Sequence, residues 1–225
     1  MTPKIKLGKM MLFSAAIILL MCAMSAWAWF QLPDDARIPT HWNAHGEIDG
    51  YGTKSTGLML TPIMMAGLSA LMALLPHISP RREHLLKSLK VYKTIWVAML
   101  LLFTVIHGAM VLTALGRSVP MAGIINVGIG LLFVIIGNWL GKVRSNFIMG
   151  VRTPWTLSSE LSWNKTHRLS GKLFVGVGLA QILVGFFFST HPAAAKVMIT
   201  GIILLVLVPV TYSWCVWKND PDRQN

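Results

Sequence analysis

The chain has 225 residues; 54% are apolar, only 12% are charged, and the mean hydropathy is +0.61. A water-soluble domain carries charge on about 25% of its residues, so this composition excludes an ordinary soluble surface and calls for apolar surroundings. The net charge of +12 sits in segments between apolar runs, a topological pattern rather than a basic patch, and no direct nucleic-acid partner is expected.

In chain order, charge-free runs predict six transmembrane helices, at about residues 10–30, 57–76, 94–115, 121–140, 171–189 and 197–217. Each is close to the ~20 residues that cross about 30 Å of hydrocarbon. The runs are continuous rather than alternating, which predicts helices and not barrel strands. The expected fold class is an all-α integral membrane protein, a bundle of six transmembrane helices forming a single domain over residues 1–225. Lys4, Lys6 and Lys9 precede the first run, and Arg81, Arg82, Lys87, Lys90 and Lys93 follow the second. Lys142, Arg144, Arg152, Lys165, Arg168 and Lys172 follow the fourth, with Lys218 and Arg223 in the tail. The opposite side holds only Arg37, Lys54, Arg117 and Lys196. This asymmetry predicts that both termini are cytoplasmic. Ala26-Trp27-Ala28 has the form of a signal-cleavage site, but the apolar run exceeds the ~7–15 residues of a signal core. A retained first span is expected, with a cleaved, five-span form as the alternative.

All eight acidic residues lie outside the spans. Intramembrane carboxylates mark many ion pathways, so a pump built on them is not expected. Within the spans, His107, Asn126, Asn138 and Gln181 are expected to hydrogen-bond between helices, and the Gly137–Gly141 spacing with Gly176, Gly178 and Gly185 suggests close helix packing. Spans one and four are each followed by a long loop and then two spans, a formal parallel with an inverted repeat.

Connections within bundles take about 2–8 residues. The outer loop (31–56) and inner loop (141–170) are far longer, and such loops often carry function. In the outer loop, His41 and His45 with Glu47 and Asp49 suggest a metal site. Against it, Gly46 and the prolines disfavour the helix that would place both histidines on one face, so no metal or other cofactor is assigned. A structured turn is the alternative. In the inner loop, the Ser-Ser-Glu after Leu157 predicts a capped helix start. That helix would set Trp163 and His167 at i and i+4, forming a cluster with Arg152 and Trp155. No nucleophile accompanies His167, so no catalytic residue is assigned. Between spans two and three, Leu85, Leu89 and Tyr92 share one side of a basic stretch, predicting either a helix lying on anionic lipid or an extension of span three.

Both loops carry a family pattern. Pro-Thr-His-Trp-Asn-x-x-Gly-x-x-Asp-Gly follows the first span, and Gly-Asn…Asn…Gly-x-Arg-Thr-Pro-Trp-Thr-Leu…Trp…Thr-His…Gly lies between the fourth and fifth. Together they resemble the SdpI family of bacterial membrane immunity proteins. The resemblance marks Gly137, Asn138, Asn146, Gly150, Arg152, Thr153, Pro154, Trp155, Thr156, Leu157, Trp163, His167 and Gly171 on the inner side. On the outer side it marks Pro39, His41, Trp42, Gly46, Asp49 and Gly50. It implies a non-enzymatic, multi-pass protein of the bacterial cytoplasmic (inner) membrane, in contact with the lipid bilayer. Its expected partners are a membrane-active peptide toxin and a cytoplasmic transcriptional repressor. Two alternatives stay open: a metal-binding membrane enzyme using His41, His45 and Asp49, and a small-solute transporter using His107 or Gln181.

Overall fold

The computed structural model describes residues 7–43, 46–191 and 193–223. Six long helices carry the chain: α1 (Gly8–Gln31), α2 (Lys54–Ile78), α4 (Leu89–Ala114), α5 (Met121–Leu140), α7 (Glu160–Phe187) and α8 (Ala193–Lys218). Two short helices, α3 (Arg82–Lys87) and α6 (Pro154–Leu157), lie between them. All six long helices are apolar and long enough to cross a membrane. Helix is the form such runs must take, because it satisfies every backbone polar group within the segment when no water is at hand. The outward faces confirm the setting: Phe30, Leu12, Ile63, Phe186 and Phe187 are each more than half exposed. Large apolar side chains thus cover the surface as well as the interior, and the fold is an all-α multi-pass membrane fold.

The helices divide into two groups of three. In the first, α1, α2 and α4 pack around Met21, Met65, Met72, Tyr92, Trp96 and Leu100. His107 is a polar knot at its centre. Its Nε2–H donates to the Met21 carbonyl (3.1 Å) and the Ser25 hydroxyl (3.0 Å), and Ser25 in turn donates to the Leu58 carbonyl (2.7 Å). One imidazole therefore links α4 to α1 and, through Ser25, to α2.

In the second group, α5, α7 and α8, glycine replaces bulk. Gly123, Gly130 and Gly137 of α5 face Gly185, Gly178 and Gly171 of the antiparallel α7. A Cβ on Gly137 would lie 2.6 Å from the Gly171 carbonyl oxygen, one on Gly130 2.6 Å from that of Gly178, and one on Gly123 3.0 Å from that of Gly185. Seven-residue spacing returns each glycine to nearly the same face after two turns. The two backbones therefore approach closely along about 21 Å of helix. Among the described residues, a Cβ on Gly176 would meet nothing within 4 Å, and one on Gly141 would meet Arg168 at ordinary distance. The expected Gly137–Gly141 pair is thus not the packing unit; the heptad glycines are. Beside the seam, Gln181 donates to Asn126 (2.7 Å), the expected interhelical bond. Asn138 differs: it is exposed and bonds its own helix at Val134 (2.9 Å). It follows seam-facing Gly137 by one residue, about 100° around the helix, so it points out of the bundle.

Two further expectations change. The outer loop contains a two-stranded antiparallel hairpin, β1 (Arg37–Trp42) and β2 (Ile48–Thr53). The stretch after α2 does not lie on lipid with its apolar side outward, because Leu85 and Tyr92 are buried in the α1/α2/α4 core. Residues 89–93 form the first turn of α4, the alternative of an extended span.

Candidate functional sites on the two faces

The inner loop is built by side chains that replace missing secondary structure. Asn146, fully buried, accepts the N–H groups of Ile148 and Met149 (both 2.8 Å) and donates to the Arg144 carbonyl (2.7 Å). An Asn side chain can close a turn in this way because it copies a peptide unit. The turn turns Ile148 and Met149 onto the first helix group's core. Gly150 then adopts φ +101 and passes the Nε2 edge of His167, where any Cβ would strike the imidazole.

His167 is buried and uses both ring nitrogens. Nε2 accepts the Val151 N–H (3.0 Å), so the proton sits on Nδ1, which donates to the Trp163 carbonyl (2.8 Å). Geometry thereby assigns the neutral Nδ1–H form. The ring stacks on Trp163, centroids 4.0 Å apart at 20°, as the i, i+4 spacing predicts. Trp163 is fully buried and donates its indole N–H to the Val143 carbonyl (2.8 Å). Arg152 and Trp155 do not join this cluster. Arg152 is exposed and donates to the Phe147 carbonyl, while Trp155 is half-buried on α6.

The rest of the motif is capping chemistry. Thr153 and Thr156 form a reciprocal box at the start of α6: the Thr153 hydroxyl accepts the Thr156 N–H (3.1 Å), and the Thr156 hydroxyl accepts the Thr153 N–H (2.9 Å). Pro154 occupies the first turn, where a missing N–H costs nothing. The Ser-Ser-Glu start resolves onto Ser159, which caps α7 by accepting the Ser162 N–H (2.9 Å).

Several residues outside the motif complete the structure. The Thr153 hydroxyl meets that of Ser213 (3.0 Å), and Ser162 donates to the Ser213 carbonyl (2.8 Å), tying α6 and α7 to α8. Ser159 also donates to the buried Asp220 carboxylate in the tail. From the first helix group, Arg81 reaches the Ser145 hydroxyl (2.6 Å), His84 donates to the Ser145 carbonyl (2.8 Å), and Ser88 accepts the Arg144 N–H (3.0 Å). The inner loop therefore clasps both groups. Ser145, Ser213 and Asp220 carry no local sequence signal, because their partners lie 51 to 64 residues away.

On the other face, the two strands of the hairpin lie against the helix ends. Ile38 is fully buried against Gly57, and Pro39 is buried opposite Tyr51. Trp42 packs on the cluster of Ala28, Leu58 and Met110. Gly50 faces His41, whose Cβ would lie 2.9 Å from any Cβ added there. Gly46 takes φ +81 at the turn, a conformation glycine adopts without strain. Asp49 accepts a 2.5 Å bond from His41 Nδ1 at an exposed position. Among the described residues no group of three His, Cys, Asp or Glu side chains is placed to share an ion; His45 lies outside the described residues. Lys54, in sequence one of the few charges on this side, is the staple of this face. Buried, it donates to the Leu32 carbonyl (2.7 Å) and to Asp34 (3.1 Å) and sits over the Trp29 ring.

Comparison with known proteins follows the same division. Residues 16–66, which include the hairpin, match the model of a domain of unknown function, DUF1648. Residues 142–213, from the inner loop into α8, match that of the SdpI/YfhL protein family. Immunity protein SdpI of Bacillus subtilis (strain 168) is 30% identical over 121 residues, covering 54% of this chain and 58% of that protein. The chain thus aligns with little more than half the length of that curated relative. No solved structure matches. The resemblance first visible in the loop motifs is upheld: the chain is similar to the SdpI/YfhL protein family from its inner loop through α7 and most of α8, and to the immunity protein over about half its length.

Proposed function

We propose that this protein confers immunity to a membrane-active peptide toxin, protecting the membrane in which it sits. The observation that carries this reading is the similarity to the immunity protein of Bacillus subtilis, joined to the family match over the inner loop. The protein acts in the bacterial cytoplasmic membrane, with its Lys- and Arg-rich face and both termini in the cytoplasm, as the charge asymmetry favours. The toxin is met within the bilayer or at the hairpin, where His41, Asp49 and Tyr51 are exposed.

The inner motif has two jobs. Asn146, Gly150, Thr153, Thr156, Trp163 and His167 hold the helix groups together. Asn138, Arg152 and Pro154 are exposed and form the contact surface for a cytoplasmic partner, a transcriptional repressor in the family's manner. Support for holding rather than catalysis comes from His167, whose two nitrogens are both engaged by main chain. The test is expression in toxin-sensitive bacteria challenged with a panel of membrane-active peptides. Survival is expected to rise for at least one peptide; unchanged survival across the panel, with the protein verified in the membrane, refutes the reading.

A further inference from the structure

An apolar groove of about 580 Å³ runs between α4 and α5, lined by Ala98, Leu101, Gly128, Leu131 and Ile135 among others. Toward the basic face it continues, through Ala98, Leu101 and Ile135, into a second hollow of about 360 Å³ edged by Lys90 and Lys93. There the charge is concentrated. The Lys90 ammonium lies 5.3 Å and the Lys142 ammonium 4.5 Å from the centroid of one ring, that of Trp139. Two cations thus share one indole, and neither forms an ion pair with a carboxylate among the described residues. Lys93 to Val105 rises about 18 Å along α4 at 1.5 Å per residue, close to the ~15 Å that one leaflet contributes to the hydrocarbon.

We propose that this groove binds an anionic phospholipid of the leaflet on the basic side, with its phosphate between Lys90 and Lys142 and one acyl chain along Ala98, Leu101 and Ile135. The reason is complementarity at both ends. An unneutralised lysine pair beside an interfacial tryptophan attracts a phosphate, and the hollow continuing from it is apolar over the length of a single chain. A zwitterionic lipid fills the same groove but brings no net negative charge to the lysines. The site is independent of the immunity reading.

The full-length protein in detergent, given equal dioleoyl phosphatidylglycerol and dioleoyl phosphatidylcholine, is examined by native mass spectrometry. The phosphatidylglycerol adduct is expected to exceed the other about fivefold or more. Lys90→Gln with Lys142→Gln, both at exposed positions, is expected to abolish that preference without altering Tm. Ala98→Trp, which fills the groove, is expected to lower the phosphatidylglycerol adduct roughly tenfold; Leu101→Phe, a milder filling, lowers it in the same direction and serves if the first variant unfolds. Equal adducts in the native protein overturn the proposal, as does an undiminished phosphatidylglycerol adduct in a folded groove-filled variant. Glycerol phosphate at millimolar concentration is expected to leave the lipid bound; its displacement of the lipid would also overturn the proposal, since binding would then need no acyl chain.

Discussion

Where α1, α2 and α4 meet, Met21, Met65, Met72, Trp96 and Leu100 fill the space between helices; where α5 meets α7, six glycines remove that space. Both arrangements answer one constraint. Lipid chains are as apolar as leucine, so helices in a bilayer associate through packing and hydrogen bonds rather than through escape from water. Unbranched methionine adapts to irregular gaps and leaves the first group adjustable. Backbone pressed on backbone leaves the second with no freedom to yield. The contrast means that equal changes in side-chain volume have unequal consequences on the two sides.

The largest effect is expected at the seam. Gly130→Leu places a branched side chain where even a Cβ lies 2.6 Å from the Gly178 carbonyl oxygen. Overpacking a tight core costs about 1–3 kcal/mol when neighbours can shift. Here the neighbour is main chain, so no monodisperse protein is expected by size-exclusion chromatography. Gly176→Leu on the partner helix α7, where an added Cβ meets nothing within 4 Å among the described residues, is expected to elute normally. Equal behaviour of the two variants would break the contrast.

The adjustable side is tested at Met65, which is fully buried. Truncation to alanine is expected to cost about 2–4 kcal/mol through lost contacts and a residual cavity. Met65→Leu, which conserves volume, is expected to cost less than about 1.5 kcal/mol, read from unfolding midpoints in detergent. A Met65→Leu cost matching that of Gly130→Ala would show that both groups are packed alike.

Between the groups, the inner clasp has an intermediate expected effect. His167→Ala removes the acceptor for Val151, the donor to Trp163 and a stacked ring together. Leaving a buried N–H unpaired costs about 1–3 kcal/mol, and a loss of about that size is expected in unfolding experiments. His167→Phe retains a ring on Trp163, so the deficit that persists in it isolates the hydrogen bonds.

These differences follow how each feature is written in the chain. The six helices were legible because a charge-free run of this length has one stable form in hydrocarbon. Trp163 and His167 were legible because i, i+4 spacing on a capped helix leaves little choice. The hairpin was not, since Ile48-Asp-Gly-Tyr-Gly-Thr53 pairs glycines with weak alternation and its register depends on packing Ile38 and Trp42. The seam stood half in view. Gly123, Gly130 and Gly137 recur at seven residues, as do Gly171, Gly178 and Gly185, whereas the four-residue Gly137–Gly141 spacing is the more familiar signal. Only antiparallel pairing across the intervening loop makes the two series one interface. The Ser159–Asp220 and Ser145–Arg81 bonds had no signal at all, because a lone serine is compatible with any neighbour.

A smaller effect is expected at the His107 knot. Ser25→Ala deletes one acceptor for His107 and one bond to Leu58, while the bond to Met21 persists. Interhelical hydrogen bonds of this kind average about 0.6 kcal/mol in a membrane protein, and a loss of that order is expected.

The smallest stability effect is expected where the motif turns outward, and there stability and function should part. Among the described residues, Asn138 is exposed and bonds only Val134 of its own helix, and Arg152 is exposed and reaches only the neighbouring Phe147 carbonyl. Exposed substitutions away from caps and cores usually change stability by less than about 0.5 kcal/mol. Asn138→Ala and Arg152→Ala are therefore expected to unfold with the native protein, yet to lower survival in the toxin challenge or capture of a cytoplasmic partner. His167→Ala and Thr156→Ala should instead lower stability and protection together, since their partners are internal. Full protection by the Asn138→Ala, Arg152→Ala double variant, with full partner capture, would remove the contact surface from the motif. What would then remain is a clasp: a loop whose whole pattern serves to fasten a methionine-packed group of helices to a glycine-packed one.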